Sequence, residues 1–321
     1  MRESTVRLER LRALDAAPDR VWSLLSSPAA WSLRPGCFAF DVPEPPAGTG
    51  RLRCVLGTIG EVTSCEVLEA GGRTPARAVC WRRRDRLPAG HRAYTLSVRP
   101  GPRGATACIG IRDKVTRGSR AGWTTRWETE LGIWLDALQA AVEGRRPWPG
   151  ADMPQDVSQA CSARPAAAAY DSVSAEVLVG APLGVVWEAV WSPETSRSLN
   201  PALVACAGRV PGTPQRQAGE MRYRICRHAD GLLTADVHVV SEFAYQRSAL
   251  TQRVGPPRTQ VLHLFARAAG GTRLTLTLRW PAGTLREDSQ DVRRSLTELM
   301  QQNANGYRAI IEASAAAAPA R

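Results

Sequence analysis

Ala17-Pro18-Asp19-Arg20-Val21-Trp22 and Ala181-Pro182-Leu183-Gly184-Val185-Val186-Trp187 are two versions of one phrase. The versions continue in step. Pro28 and Pro35 follow the first, Pro193 and Pro201 the second, at an offset of 164 to 166 residues throughout. An ordered series of this kind with matching flanks marks an internal repeat. Upstream of each Ala-Pro, residues 6–14 and 171–179 read as extended chain. In the second stretch Val173, Ala175, Val177 and Val179 share one face, and that period of two predicts a half-buried strand. Downstream, short helices are predicted over 18–25 and 182–190, with proline placed where a missing N–H costs nothing. A second short helix follows each, interrupted by Pro28 or Pro193.

Working outward, each copy offers five more strands. They are 51–56, 61–68, 77–81, 93–99 and 105–113, then 219–226, 232–242, 245–250, 260–268 and 272–280. In the last, Leu274, Leu276, Leu278 and Trp280 face one way, with Thr275, Thr277 and Arg279 opposite. Gly270-Gly271 before it supplies a tight hairpin turn. Short connections between strands imply an antiparallel meander rather than crossover units. Each copy closes on a long helix. Trp127, Leu131, Trp134, Leu135 and Leu138 form one apolar stripe, and Leu296, Leu299, Met300, Tyr307, Ile310 and Ile311 form the other. Between the copies, 143–169 carries Pro147, Pro149, Gly150, Pro154 and Pro165 and reads as a linker with little regular structure. The division is a first domain over 1–145, a linker over 146–169 and a second domain over 170–315. The Ala-rich end from 315 onward is expected to fray.

Composition narrows the class. The 321 residues suit two domains of ordinary size, and 44% hydrophobic residues give each a core. No apolar run approaches the roughly 20 residues of a membrane span, and 1–6 lacks a secretory segment, so a cytoplasmic protein is expected. Net charge is +12, yet Lys114 is the only lysine and the arginines are spread along the chain. The one dense cluster, Arg82, Arg83, Arg84 and Arg86, has no zinc-finger spacing or recognition helix, so nucleic acid is not the expected partner. Eight cysteines and four histidines show no C-x-x-C and no metal-ligand spacing. No G-x-S-x-G, G-x-G-x-x-G or H-E-x-x-H is present, and nothing signals a nucleotide or metal cofactor.

The two Ala-Pro/Val-Trp phrases resemble the opening of the START/Bet v 1-like superfamily, which includes polyketide cyclases. Trp127-x-x-x-Leu131-x-x-x-Leu135-x-x-Leu138, followed by Glu143-Gly144, resembles the last helix of the branch related to the activator of Hsp90 ATPase. That branch carries Gly-Trp where this chain has Arg126-Trp127; Gly122-Trp123 lies one turn earlier. The resemblance implies an α+β fold of two helix-grip domains, each a curved antiparallel sheet wrapped around a long C-terminal helix. It also implies a cavity between sheet and helix that binds or sequesters a hydrophobic, polycyclic or aromatic small molecule. The setting would be polyketide or enediyne antibiotic biosynthesis, or self-resistance. Alternatives are a didomain aromatase/cyclase, fed by an acyl carrier protein, and a protein-interaction or co-chaperone module.

The candidate cavity wall is the inward stripe of each closing helix: Trp127, Leu131, Trp134 and Leu138 in the first domain, Met300, Tyr307 and Ile311 in the second. Plain core packing is the alternative role for each. The second domain also carries Thr234, Asp236 and His238 on one strand face, with His263 on another strand. Facing a cavity, Asp236 would orient His238 for proton transfer during an aldol cyclisation or dehydration. Facing solvent, both are ordinary surface residues, and this is the simpler reading because Leu233, Ala235, Val237 and Val239 occupy the opposite face. Arg222, Tyr223 and Arg224 flank the same region, and an arginine there would polarise a ketone or bind an acidic group.

Overall fold

The computed structural model describes residues 3–59, 62–71, 77–83, 92–150, 152–163, 169–200, 204–255, 258–284 and 289–317. Arg84, Arg86, Pro165 and Pro201 lie outside the described residues. The chain divides into two compact units.

The first unit runs β1 (Glu3–Leu14), α1 (Pro18–Leu25), a 3-10 helix (Pro28–Leu33), β2 (Cys37–Asp41), β3 (Leu52–Ile59), β4 (Val62–Gly71), β5 (Ala78–Arg83), β6 (Ala93–Gly101), β7 (Gly104–Thr116) and α2 (Arg120–Val142). The seven strands form one antiparallel sheet in the order β1-β7-β6-β5-β4-β3-β2. A short helix, α3 (Gln155–Ser162), follows. It occupies the stretch expected to lack regular structure, and the reason is its spacing: Val157 and Cys161 fall one turn apart and are both buried.

The second unit repeats the plan with β8 (Tyr170–Val179), α4 (Leu183–Val190), α5 (Pro193–Leu199), β9 (Val204–Arg209), β10 (Met221–Arg227), β11 (Leu233–Ala244), β12 (Ser248–Arg253), β13 (Gln260–Ala268), β14 (Gly271–Pro281) and α6 (Ser289–Ala317). Its sheet order, β8-β14-β13-β12-β11-β10-β9, is that of the first. In both units a meander returns its last strand beside the first strand of the copy. The long helix then packs on that pair: α2 on β1 and β7, α6 on β8 and β14. This is the helix-grip architecture twice.

Proline does not interrupt the second short helix of either copy; Pro28 and Pro193 start it. At the first helical position the absent N–H is one of those left unpaired anyway. Ser192 caps α5 by accepting from the Glu194 and Thr195 N–H groups. The alternating faces hold: Val173, Ala175, Val177 and Val179 are buried, as are Leu274, Leu276 and Trp280. Each of the valine and leucine side chains among them contributes about 1.5–3 kcal/mol by leaving water. The turn into β14 depends on glycine. Gly271 sits at φ +152, where a Cβ would lie 2.0 Å from the Val179 carbonyl oxygen.

Candidate ligand cavity

A cavity of about 680 Å³ lies in the second unit, bounded by β9–β14, the α4–α5 corner and α6. Its polarity follows from strand register. Antiparallel pairing sets Arg253 opposite His238, Val261 opposite both Thr251 and Leu278, and His263 opposite Leu276. Cross-strand partners share a face, so these side chains line one wall. Toward β13, β14 and α6 that wall is mainly apolar, with Val261, Leu276, Leu278, Leu299 and Met300 beside His263, Asn303 and Tyr307. Toward β10, β11 and β12 it is polar: Arg222, Arg224, Asp236, His238, Thr251 and Arg253.

Asp236 is the hub of the polar end. Its Oδ2 accepts from Arg224 Nη2 at 2.5 Å and from His238 Nε2 at 2.9 Å, and its Oδ1 accepts from Arg253 Nε at 2.9 Å. Burial pushes the carboxyl pKa up. The imidazole and the two guanidinium groups outweigh it and hold the group well below the usual carboxylate range. Spending Nε2 on Asp236 leaves His238 Nδ1 with no hydrogen-bond partner among the described residues. Arg224 Nη2 stands 3.2 Å from the same Nε2.

This is a correction to the solvent-facing reading of Asp236 and His238. Leu233, Val237 and Val239 are indeed buried on the opposite face, but both faces of β11 are covered. An apolar face therefore does not mark the cavity side. Thr234 stands apart, hydrogen-bonded to His228 at 3.0 Å.

Arg222 also lines the cavity, and two of its nitrogens are engaged by the protein. Nε reaches Glu220 at 2.6 Å, Nη1 reaches the Trp191 carbonyl at 2.6 Å, and the guanidinium lies 4.7 Å over the Trp191 ring. It holds Trp191 in the wall. His263 is buried, and burial drives its pKa down to about 4, so the ring is neutral at pH 7. Along α6, Met300, Asn303 and Tyr307 share the stripe that meets the cavity. The Tyr307 hydroxyl has no hydrogen-bond partner among the described residues. Burial raises its pKa, while Arg224 and Arg222 lower it. Ile311 is buried lower on the same stripe and belongs to the core, away from the cavity lining.

The wall expected in the first unit is solid core. Trp127, Leu131, Trp134 and Leu138 are at most 3% exposed. Trp31, from the 3-10 helix, packs 5.0 Å from Trp134 and 4.9 Å from Tyr94, filling the space beneath α2. Trp134 Nε1 donates to the Ala30 carbonyl at 2.6 Å, and the Arg34 guanidinium sits over both Trp127 and Trp134. The indoles are thus occupied by protein.

Trp191, Thr251, Arg253 and Asn303 join the cavity without having been singled out from sequence. Arg253 was missed because β12 begins at Ser248, three residues beyond the predicted start; a turn with Gln246 at φ +56 takes those residues.

The chain matches no protein-family model and no curated protein. Among solved structures it is similar to the di-domain ARO/CYC BexL from the BE-7585A biosynthetic pathway, with 18% identity over 97% of this chain and 99% of that one, at a TM-score of 0.35. The di-domain ARO/CYC StfQ from the steffimycin biosynthetic pathway shares 11% identity over 97% and 99%, at 0.36. Ara h 8.0201 shares 13% identity over 45% of this chain and 99% of its own, at 0.38. At this distance the similarities assign no activity.

Proposed function

We propose that the second unit, with residues 170–315 as its binding domain, takes up a hydrophobic, polycyclic small molecule and holds it out of water. The observation that carries this reading is the cavity of about 680 Å³, to which β13, β14 and α6 bring apolar side chains and β10–β12 a polar cluster. Ligand sites combine those two features, apolar area for affinity and a few polar groups for orientation. The first domain, over 1–145, contributes a filled core rather than a second site. The interaction-module alternative expects a collapsed cavity, and the open one in the second unit argues against it.

Tryptophan fluorescence titrated with polycyclic aromatic polyketides tests the reading, because Trp191 is in the wall. Saturable quenching by micromolar ligand is expected. Val261→Trp, which fills the apolar end, should abolish it. Quenching undiminished in that variant would overturn the proposal.

A second reading, an aromatase/cyclase, is favoured by one observation: His238 faces the cavity with Nε2 held by Asp236 and Nδ1 unpaired. Nδ1 would take a proton from a carbon between two ketones. The resulting enolate carbon would attack a further carbonyl, forming a C–C bond, and the alkoxide would regain the proton. Arg224 would stabilise the enolate. Product analysis separates the readings. Recovery of the compound unchanged supports binding, as sequestration or self-resistance requires. Conversion that is lost in His238→Ala, with quenching retained, supports the cyclase and makes a carrier-bound chain the next substrate to try.

A further inference from the structure

Resting on the cavity reading above, we infer that Asn303 and Tyr307, on the cavity face of α6, select a molecule with a ketone or hydroxyl oxygen on its ring system. The polar groups of the sheet side are largely bound to one another. Asp236 joins Arg224, His238 and Arg253, and Arg222 reaches Glu220 and the Trp191 carbonyl. Thr251 Oγ1 donates to the Val261 carbonyl at 3.3 Å. The helix side differs. Asn303 and Tyr307 both line the cavity, and neither the amide nor the hydroxyl has a hydrogen-bond partner among the described residues.

Tyr307 is only 9% exposed. Phenylalanine would pack as well there without the cost of burying an unpaired hydroxyl. Burial raises the phenol pKa more than Arg224 and Arg222 lower it, so at neutral pH the O–H is intact and donates. Asn303 is half-buried inside a helix of 29 residues. Asparagine is a weak helix former because its amide competes for backbone groups, and here it binds none among the described residues. Spaced four apart, the two side chains share a face, about 6 Å apart along the axis. Gly306, between them, lets α5 brace that face. Leu199 packs so close that a Cβ at 306 would lie 2.8 Å from its Cδ2. Together the pair offers a hydroxyl donor, an amide donor and an amide acceptor. A ketone accepts from either residue, and a hydroxyl also donates to the Asn303 carbonyl. A hydrocarbon leaves all three groups unpaired, and a site built this way discriminates against it.

Calorimetry of the full chain at pH 7 with naphthalene, 2-naphthol and 2-acetylnaphthalene tests the inference. Both oxygenated compounds should bind about fivefold tighter than naphthalene, the size of one net hydrogen bond, although the oxygen makes them less hydrophobic. Tyr307→Phe and Asn303→Leu should each reduce that preference, and the double variant should remove it. Both substitutions keep the bulk of the side chain, so the packing of α6 is retained. Naphthalene that binds the unaltered protein as tightly as the oxygenated pair overturns the inference and leaves the cavity reading standing. A preference undiminished in the double variant does the same. Absence of saturable binding by all three compounds overturns the cavity reading, and the inference with it.

Discussion

His263 shows how one buried side chain links packing to pH. Its folded pKa is pushed down to about 4 by burial, while an unfolded imidazole titrates near 6.5. Between those values the unfolded chain binds a proton that the native ring refuses, so stability falls as pH drops from 6.5 towards 4. The loss is up to about 3 kcal/mol. Asp236 has a depressed carboxyl pKa, so its contribution is present above the unfolded carboxylate pKa and is lost only at lower pH. Urea denaturation at pH 7.5 and pH 5 should show the loss, and His263→Gln should flatten it. An unchanged pH slope in that variant would count against the buried neutral ring. In the first unit, Trp134→Ala removes an indole packed on Trp31 and bonded to Ala30. It should cost about 3–5 kcal/mol in chemical denaturation. Ligand affinity should not change, because no wall is lost.

At the scale of the element, legibility tracked alternation. The strands with a clean period of two, β8 and β14, lie where their pattern put them. Two strands were missed. Cys37-Phe38-Ala39-Phe40 in β2 is apolar throughout, and Val204-Ala205-Cys206-Ala207-Gly208 in β9 is built of small residues, so neither carries a period. Asp236 and His238 were legible as a pair sharing a face, but the direction of that face was not. It depended on what covers the far side of β11. Arg253 became visible only through register with His238. The helix stripes were legible as stripes, yet the same pattern makes core in α2 and cavity wall in α6, because Trp31 fills the first and the second stays open. The hairpin between β13 and β14 makes a sharper test. Gly271→Ala would drive a methyl into the Val179 carbonyl, and thermal denaturation should report a loss of more than about 1 kcal/mol. A neutral result would mean that the turn is not held as described.

For the molecule as a whole, the two units repeat one scaffold and differ in what fills the space beneath the long helix. Both units bury a helix on a seven-stranded sheet, and the aromatic side chains beneath α2 are spent on packing. Among the described residues no helix is long and apolar enough to cross a membrane. The central claim is therefore one ligand site per chain, located in the second unit. Isothermal titration calorimetry of the full chain with 1-pyrenebutyrate, beside the cavity-filling variant Leu278→Trp, tests it most directly. The expected result is a stoichiometry of one for the unaltered chain and no saturable binding in the variant. Two sites per chain, or binding that survives Leu278→Trp, would contradict it.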